Sequence, residues 1–343
     1  MKKNVLITGS EGFIGSHIVE TLLKKNYKVR AFVYYNSFNN IGWLSSLDPK
    51  LLKKIDIHLG DIRDEKNVMS AFKNIDYVIH LAALIGIPYS YNSPKSYIET
   101  NILGTYNVLE SSLKNKIKKT LVTSTSEVYG SAKKIPIDEN HILQAQSPYS
   151  ATKIAADKLT ESYCKSFDLN ATIVRPFNTY GPRQSNRAII PTIITQILKN
   201  KKLMIGSLSP KRDLNYVENV AETFEKILVS NKLKGEEVNI CSGKSISVRE
   251  LIHLISKLMD KKVNMVIDKS RIRPKNSEVD NLLGSYKKLN KHIKIKKIPI
   301  IEGLKKTIEW FNKEENLKKY DTNKEPTLRG TCSNSMGKNI FIH

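Results

Sequence analysis

Tyr149 and Lys153 lie four residues apart in the segment YSATK. On a helix, residues at this spacing share one face. A tyrosine with an ordinary pKa of about 10 is a poor base at neutral pH, and a nearby ammonium favours its phenolate form. A tyrosine activated in this way can exchange a proton with a hydroxyl or carbonyl while a hydride moves to or from a nicotinamide. The spacing alone is weak evidence, because a long helix can show it by chance.

Glu127 is the second residue whose chemistry needs an explanation. It stands in TSTSEVYG, residues 123–130, directly after KKTLVTST, a run that predicts a buried strand. A carboxylate at such a strand end can serve as a base, or it can be an ordinary polar residue of a turn. The local pattern leaves both interpretations open.

A glycine-rich turn precedes these residues near the start of the chain. TGSEGFIG places Gly9, Gly12 and Gly15 after a predicted strand and before the predicted helix SHIVETLLKK. Glycine permits a tight turn and a close backbone approach, and a helix N-terminus offers free N–H groups to a pyrophosphate. The sequence therefore predicts a dinucleotide cofactor.

The choice between NAD and NADP normally depends on the end of the second strand, where an acid holds the ribose 2′-hydroxyl or an arginine holds a 2′-phosphate. The region from Ala31 to Leu47 contains neither an acid nor an arginine. The missing phosphate partner favours NAD, with Asn36 or Ser37 as the ribose ligand, and NADP stays the open alternative. Asp61, in GDIRD, is either a partner of the adenine amino group or a cap for the next helix.

These residues need a scaffold that brings them to one edge. Apolar runs alternate with helix-length amphipathic segments through the first half of the chain, including helices near 95–115 and 148–168. This alternation predicts an α/β fold, a doubly wound, Rossmann-like parallel sheet with helices on both faces. Ligands of such sheets bind beyond the carboxyl ends of the strands, where the notable residues fall.

The predicted domain organisation has two parts. Residues 1–180 form the dinucleotide-binding domain, with 214–245 returning to it, and residues 181–213 and 246–315 form a smaller mixed α/β substrate lobe. Residues 316–343 lack periodicity and are rich in polar and small residues, which predicts a loosely ordered tail.

Composition narrows the class of protein. The net charge is +23, but the lysines are scattered over predicted helix and loop edges, so we expect a solvated surface and no nucleic-acid partner. Such a field also suits anionic, phosphate-bearing substrates. No apolar run is long enough to span a bilayer, and Cys164, Cys241 and Cys332 have no metal-ligand spacing. We expect a cytoplasmic protein with no metal site and no membrane insertion.

The order of these features resembles the extended short-chain dehydrogenase/reductase family, and within it the sugar-nucleotide epimerases and dehydratases. The resemblance runs over about residues 3–312 and rests on the glycine turn, HLAA, the strand ending in Ser124 and Thr125, YSATK and RPFNTYGP. Longer stretches, among them RAFVYYNSFNNIGWL and RPFNTYGPRQSNRAIIPTIITQ, are similar to the dehydratases that act on nucleotide-activated N-acetylglucosamine in legionaminic acid biosynthesis.

The resemblance implies a reaction. Tyr149 and Lys153 are the catalytic pair, and Thr125 hydrogen-bonds the sugar 4-oxygen. The triplet Thr125, Ser126 and Glu127 matches the loop of 4,6-dehydratases, which oxidise C4, eliminate water across C5 and C6 and reduce C6, with no net redox change. Ser126 stands where many relatives have an acid, and a hydroxyl is too weak an acid to protonate the leaving 6-hydroxyl. Glu127 is therefore expected to move the proton from C5 to O6, directly or through water, with Ser126 as an additional candidate.

The resemblance also implies binding residues and a homodimer formed through two helices that include the Tyr149 helix. The predicted cofactor contacts, besides the catalytic pair, are Gly9, Gly12, Phe13, Ile14, Gly15, Asn36, Asp61, Ile62, Leu81, Ala82, Ala83 and Pro176. The predicted substrate contacts are Asn178 and Arg212 at the diphosphate, Arg271 or Arg273 at phosphate, Pro191 with Thr192 at the base, Glu278 at the nucleotide ribose, and Arg187 with no assigned part of the substrate.

Two other functions stay open. A sugar-nucleotide 4-epimerase would keep Tyr149 and Lys153 and have no use for Glu127. A regulatory or RNA-binding protein that kept the dinucleotide fold would use the +23 charge and would not need Thr125, Tyr149 and Lys153 together. The sequence does not decide between a UDP-sugar and a GDP-sugar.

Overall fold

The structure is a computed structural model that describes residues 3–199, 202–268 and 281–320. Its strands are β1 Asn4–Thr8, β2 Lys28–Tyr34, β3 Ile55–Gly60, β4 Tyr77–His80, β5 Lys119–Thr123, β6 Ala171–Pro176, β7 Asn178–Tyr180, β8 Leu203–Ile205, β9 Lys211–Tyr216, β10 Glu237–Ile240, β11 Ser245–Ser247, β12 Met265–Ile267 and β13 Asn281–Leu282.

The α-helices are α1 Phe13–Lys24, α2 Pro49–Leu52, α3 Glu65–Ala71, α4 Ile87–Asn92, α5 Pro94–Tyr97, α6 Gly104–Lys114, α7 Pro148–Phe167, α8 Ile189–Leu198, α9 Val217–Val229, α10 Val248–Leu258, α11 Lys287–His292, α12 Ile300–Asn312 and α13 Glu314–Leu317. The helix predicted near 95–115 comprises α5, a π-helical segment Ile98–Leu103 and α6.

Seven parallel strands form the main sheet, in the order β10-β6-β5-β4-β1-β2-β3. The chain starts in the interior of the sheet, runs to the β3 edge, and returns through β4 to the β10 edge. This topology confirms the predicted doubly wound, Rossmann-like fold. Because all seven strands are parallel, their carboxyl ends meet along one edge.

Both faces of the sheet are buried, which explains why its strands read as continuous apolar runs. Along β1, Val5 and Ile7 pack in the core beneath α1 and α9, whereas Leu6 points to the opposite core beneath α3 and α6. β10 joins the sheet beside β6, and α9 packs on α1.

The second lobe has its own core, built from α8, α10, α12 and the short strands β8 and β9. β9 pairs with β7, β11 and β13 in a small sheet beside the main one. The structure corrects the start of the predicted loosely ordered tail. Residues 316–320 complete α13 and a 3-10 turn, and Tyr320 is buried against Trp43 and Phe311. None of the helices in the described ranges is long and apolar enough to cross a membrane.

Candidate active site

Tyr149 and Lys153 lie in the first turns of α7. The helix begins with Ser147 as N-cap in a capping box with Ser150, and Pro148 occupies the first helical position. These start signals fix the helix register, and the spacing places both functional side chains on the face that packs against the carboxyl edge of the sheet. Both are nearly enclosed, with Tyr149 6% and Lys153 3% exposed.

The Tyr149 phenol lies beside both residues of the loop that were predicted to act on the sugar. Burial raises the pKa of Tyr149 well above its usual value, a hydrogen bond with the Thr125 side chain lowers this pKa, and the Glu127 charge raises it further. The Tyr97 ring packs edge-on against the Tyr149 ring, at 6.3 Å between centroids. The structure therefore brings Thr125, Glu127 and Tyr149 together.

Lys153 donates a hydrogen bond from Nζ to the carbonyl oxygen of Thr123, at 2.6 Å. Burial lowers the pKa of Lys153 to about 8, and the Asp157 charge opposes this shift. The expectation that the ammonium holds the tyrosine pKa down is not met in this structure. Burial has the larger effect on Tyr149, and the ammonium is directed at a backbone carbonyl.

The Thr125–Glu127 segment forms a short 3-10 turn, Ser126–Tyr129, directly after β5. Thr125 caps it by accepting a hydrogen bond from the Glu127 backbone N–H, at 3.2 Å. Ser126 is buried, whereas Glu127 is partly exposed. Glu127 therefore belongs to a turn, and its charge acts on the Tyr149 phenol. Its role as a base stays a prediction.

A buried hydrogen-bond network connects this turn to α7. Arg175, on β6, donates to Oδ2 of Asp157 through Nε at 3.1 Å and Nη2 at 3.0 Å, and through Nη1 to the Tyr129 hydroxyl at 3.0 Å. Tyr129 in turn donates to Oδ1 of Asn239, at 2.8 Å. Breaking a buried ion pair costs about 3–5 kcal/mol. The network therefore fixes the loop that carries Glu127 relative to the helix that carries Lys153.

No sequence motif had indicated these positioning residues or Asn101. Asp157 follows Lys153 by one helical turn, and this spacing could have indicated from the sequence that the two side chains share a helix face. Asn101, in the π-helical segment, holds the chain after β4: its Oδ1 accepts from the Leu84 N–H at 2.8 Å, and its Nδ2 donates to the Leu84 carbonyl at 3.0 Å and to Thr152 at 3.0 Å. Its neighbours lie 17 and 51 residues away, so no local pattern could have identified it.

The glycine turn lies at the carboxyl end of β1, as predicted. Gly9 has φ +67°, and a Cβ there would lie 2.7 Å from the Ala82 nitrogen. A Cβ on Gly15 would lie 2.2 Å from the Gly9 carbonyl oxygen, so this glycine allows α1 to pack against the turn. Gly12 caps α1 without a side-chain hydrogen bond. The N-terminal N–H groups of α1 are thus available to a pyrophosphate, and the turn fits a dinucleotide.

The adenosine end of the predicted cofactor site differs from expectation in two details. The Asn36 amide is used within its own turn: Oδ1 accepts from the Phe38 and Asn40 N–H groups, and Nδ2 donates to the Tyr34 and Asn40 carbonyls. Asp61 binds the Arg63 guanidinium, and Asp64 caps α3 instead. The capping alternative for Asp61 is therefore wrong.

The other predicted cofactor residues follow the same edge of the sheet. Phe13, Ile14 and Gly15 open α1, Ile62 follows β3, Leu81, Ala82 and Ala83 follow β4, and Pro176 ends β6. The Leu81 and Ala82 N–H groups donate to Oγ1 of Thr8, both at 3.2 Å, which holds the β4 end beside the glycine turn.

The predicted substrate residues are spread between the sheet edge and the lobe. Asn178 begins β7, and its Oδ1 is buried without a hydrogen-bond partner among the described residues. Burial raises the pKa of Tyr97 and the Arg187 charge opposes this shift, which places Arg187 near the tyrosine pair. Arg212 donates to the Lys211 carbonyl at 3.0 Å.

The remaining substrate predictions concern α8 and a segment the structure does not describe. Pro191 and Thr192 lie in the first turn of α8, where the Thr192 hydroxyl donates to the Asn186 and Ala188 carbonyls. Arg271, Arg273 and Glu278 lie outside the described residues.

Comparison with known proteins places this geometry in a family. Residues 6–307 match the family model described as GDP-mannose 4,6 dehydratase. The mouse dTDP-D-glucose 4,6-dehydratase is 30% identical over 341 residues, which cover 94% of this chain and 93% of the mouse protein. The UDP-N-acetylglucosamine 4-epimerase from Methanobrevibacter ruminantium M1, solved with UDP-N-acetylmuramic acid, has a TM-score of 0.82 and 30% identity, covering 91% of this chain and 99% of that one.

A second similar structure was solved with NAD bound. DesIV, the dTDP-glucose 4,6-dehydratase from Streptomyces venezuelae, has a TM-score of 0.80 and 25% identity, covering 93% of this chain and 99% of its own. The chain therefore belongs to the nucleotide-sugar 4,6-dehydratase and 4-epimerase family of extended short-chain dehydrogenases/reductases. Structural neighbours in this family bind NAD.

Proposed function

We propose that this protein is an NAD-dependent 4,6-dehydratase of a nucleotide-activated N-acetylglucosamine and releases the 4-keto-6-deoxy sugar nucleotide. The observation that carries the proposal is the turn after β5, which holds Glu127 close enough to Tyr149 for its charge to act on the phenol. A 4-epimerase has no use for a base at C5, whereas a dehydratase requires one.

The residues divide the reaction between them. NAD, when bound, supplies the hydride acceptor for C4 and the hydride donor for C6. Tyr149 takes the O4 proton while its hydroxyl is hydrogen-bonded to Thr125. Because burial raises the pKa of Tyr149, its proton transfer is expected to coincide with hydride departure from C4. Lys153 keeps a positive charge within reach of this step.

The resulting 4-ketone makes the C5 proton acidic, and Glu127 removes it. The C5–H and C6–O bonds break, a C5–C6 double bond forms, and the proton taken from C5 leaves with the 6-hydroxyl as water. Ser126 is buried and Glu127 is partly exposed, which supports Glu127 as the group that carries this proton. Hydride return to C6 and protonation of C5 then balance the reaction, with no net oxidation.

The rival function within the family is a sugar-nucleotide 4-epimerase. It is favoured by the similarity to the UDP-N-acetylglucosamine 4-epimerase, which aligns over nearly its full length. Its mechanism uses Thr125, Tyr149 and Lys153 in the same way. The two functions therefore differ in a single role, that of Glu127.

The sugar and its fate are proposed from sequence similarity. The stretches NSFNNIGWL and RPFNTYGPRQ resemble dehydratases of legionaminic acid biosynthesis, so we place the product in the synthesis of a nonulosonate or a related 6-deoxy amino sugar. The resemblance also supports a homodimer through α6 and α7, where Tyr106 and Phe167 are exposed.

A panel of substrates tests the proposal. Purified protein is incubated with UDP- and GDP-N-acetylglucosamine and with dTDP-glucose, and the products are analysed by mass spectrometry. We expect one of the N-acetylglucosamine nucleotides to lose one water. Conversion to a galacto-configured sugar of unchanged mass would support the epimerase instead, and water loss from dTDP-glucose alone would overturn the proposed sugar.

A further inference from the structure

The end of β2, where related folds place the acid that recognises the cofactor ribose, carries Tyr34, Tyr35 and Asn36 in this chain. Tyr34 and Tyr35 have no carboxylate. Asn36 has two acceptor lone pairs and two amide hydrogens, and all four are used within the turn it closes. A ribose hydroxyl would have to displace one of these bonds, so Asn36 is poorly suited to the predicted role.

A carboxylate nevertheless reaches this position from another element. Glu11 lies in the glycine turn, between Gly9 and Gly12, and its Oε1 accepts a hydrogen bond from the Tyr34 backbone N–H at 2.9 Å. Its side chain thus bridges from the phosphate turn to the last residue of β2. The bond lies on the exposed side of the structure, and a carboxylate oxygen can accept a second hydrogen bond.

The Glu11 carboxylate has fewer hydrogen-bond and ion-pair partners than a buried charge normally needs. Its Oε2 is enclosed and has no hydrogen-bond partner, and no ion pair involves Glu11 within the described ranges, in a chain with 56 lysines and arginines. Burial accordingly raises the pKa of Glu11. Because Oε2 is enclosed, Oε1 is the carboxylate oxygen that a donor from outside can still reach, and a second hydrogen bond there would offset part of the cost of burying the charge.

The backbone around Glu11 holds it in place. Its carbonyl oxygen accepts a hydrogen bond from the Trp43 N–H at 2.9 Å, and a Cβ on Gly42 would lie 2.7 Å from the same oxygen. Trp43 stacks on Tyr320, so the segment that covers Glu11 is packed against the second lobe. The side chain is therefore fixed at the end of β2.

We propose that Glu11, and not Asn36, recognises the adenosine ribose of the cofactor, accepting a hydrogen bond from its 2′-hydroxyl and repelling a 2′-phosphate. The acid that sets the preference for NAD would then have moved from the end of β2 into the phosphate turn. This inference rests on the dinucleotide part of the proposed function and is independent of the sugar and of the reaction type.

Direct binding measurements test it without sugar substrate. Protein stripped of bound nucleotide is titrated with NAD and with NADP by calorimetry, using the wild type and Glu11→Gln. Glutamine keeps the size of the side chain and can still accept from the Tyr34 N–H, but it lacks the charge. We expect NAD binding to weaken roughly tenfold or more, as for loss of a hydrogen bond to a charged group, and NADP binding to strengthen relative to NAD.

Two control variants separate this role from structural effects. Glu65→Gln removes one negative charge from the exposed first turn of α3, and it is expected to leave the ratio of NAD to NADP affinities unchanged. Asn36→Ala is expected to weaken both nucleotides by the same factor, through the turn. An unchanged ratio in Glu11→Gln, or a changed ratio in Asn36→Ala alone, would overturn the assignment. Failure of the wild type to bind either nucleotide would instead refute the dinucleotide part of the proposed function.

Discussion

A buried lysine ammonium binds backbone carbonyls near each end of β5, Lys119 from the strand itself and Lys153 from α7, yet only Lys153 lies where chemistry is expected. At the amino end, Lys119 donates to the Ser230 and Lys232 carbonyls, both at 2.8 Å. At the carboxyl end, Lys153 donates to the Thr123 carbonyl at 2.6 Å. Both side chains are at most 3% exposed, and burial lowers the pKa of each to about 8.

The difference lies in the neighbours. Lys119 binds backbone carbonyls at the amino end of β5. Lys153 shares a helix face with Tyr149 at the carboxyl edge of the sheet, which also holds the glycine turn and the Glu127 turn. A lowered lysine pKa therefore does not identify a catalytic group in this protein. Position at the carboxyl edge is the better guide to a candidate residue, because that edge gathers the ends of all parallel strands.

The largest expected effect comes from removing the Tyr149 hydroxyl. Tyr149→Phe is expected to lower the rate of hydride transfer by about 10³–10⁴, the upper range for loss of a positioned proton-transfer group. Its control is Tyr163→Phe on the same helix, whose hydroxyl binds Glu110 away from the carboxyl edge. Single-turnover NADH absorbance measures both. Equal rates in the two variants would contradict the assignment of the carboxyl edge as the active site.

Substituting Lys153 and Lys119 in turn tests whether only the lysine at the carboxyl edge contributes to the reaction. Lys153→Met is expected to slow hydride transfer by about 10²–10³, since it removes the positive charge that shares a helix face with Tyr149 at the carboxyl edge. Lys119→Met is expected to leave this rate within about twofold once its folding is verified by circular dichroism, because surface and structural changes far from the site act mainly on stability. A comparable loss of rate in both variants would mean that Lys153 affects hydride transfer only through the stability of the sheet.

The same pair of variants makes a prediction about stability against pH. The folded pKa of each lysine is about 8, below the unfolded value of about 10.4. Between these values the unfolded chain binds more protons, so the free energy of unfolding rises with pH by up to about 3 kcal/mol for each lysine. Urea unfolding measured at both ends of this pH range should show a smaller rise in the free energy of unfolding for Lys119→Met and for Lys153→Met than for the wild type. A rise equal to that of the wild type would refute the lowered pKa of these lysines.

The smallest expected effect concerns Ser126. If Glu127 carries the proton to the leaving hydroxyl, Ser126→Ala is expected to retain elimination within about tenfold of the wild type. Product formation from the sugar nucleotide measures this. Loss of elimination with hydride transfer preserved would make Ser126 the proton donor.

Local patterns predicted the parts of the molecule that local residues determine. The glycine turn, the strand alternation and the Tyr149–Lys153 helix face follow from spacings of a few residues, and the structure has them where expected. Arg175 hydrogen-bonds to two residues that lie 18 and 46 positions away in the sequence, and the Glu11 carboxylate accepts from a backbone N–H that is 23 residues away. Such contacts depend on how strands are ordered in the sheet, so no local spacing encodes them.

The predicted ribose ligand Asn36 shows that residue type and position alone do not predict binding. Asn36 had the right residue type and position for a ribose ligand, but its four hydrogen bonds are closed within a turn that the sequence did not reveal. A polar residue in the expected place is thus a weak predictor of binding until its own hydrogen bonds are counted.

Glu127 is proposed to remove the C5 proton, and a reaction in deuterated water tests this role. Wild-type protein and Glu127→Gln are each incubated with the accepted N-acetylglucosamine nucleotide, and the products are analysed by mass spectrometry and NMR. We expect a wild-type product that has lost one water and carries deuterium at C5, and a Glu127→Gln variant that reduces bound NAD without losing water. Water loss at the wild-type rate in Glu127→Gln, or a wild-type product of unchanged mass without deuterium at C5, would contradict it.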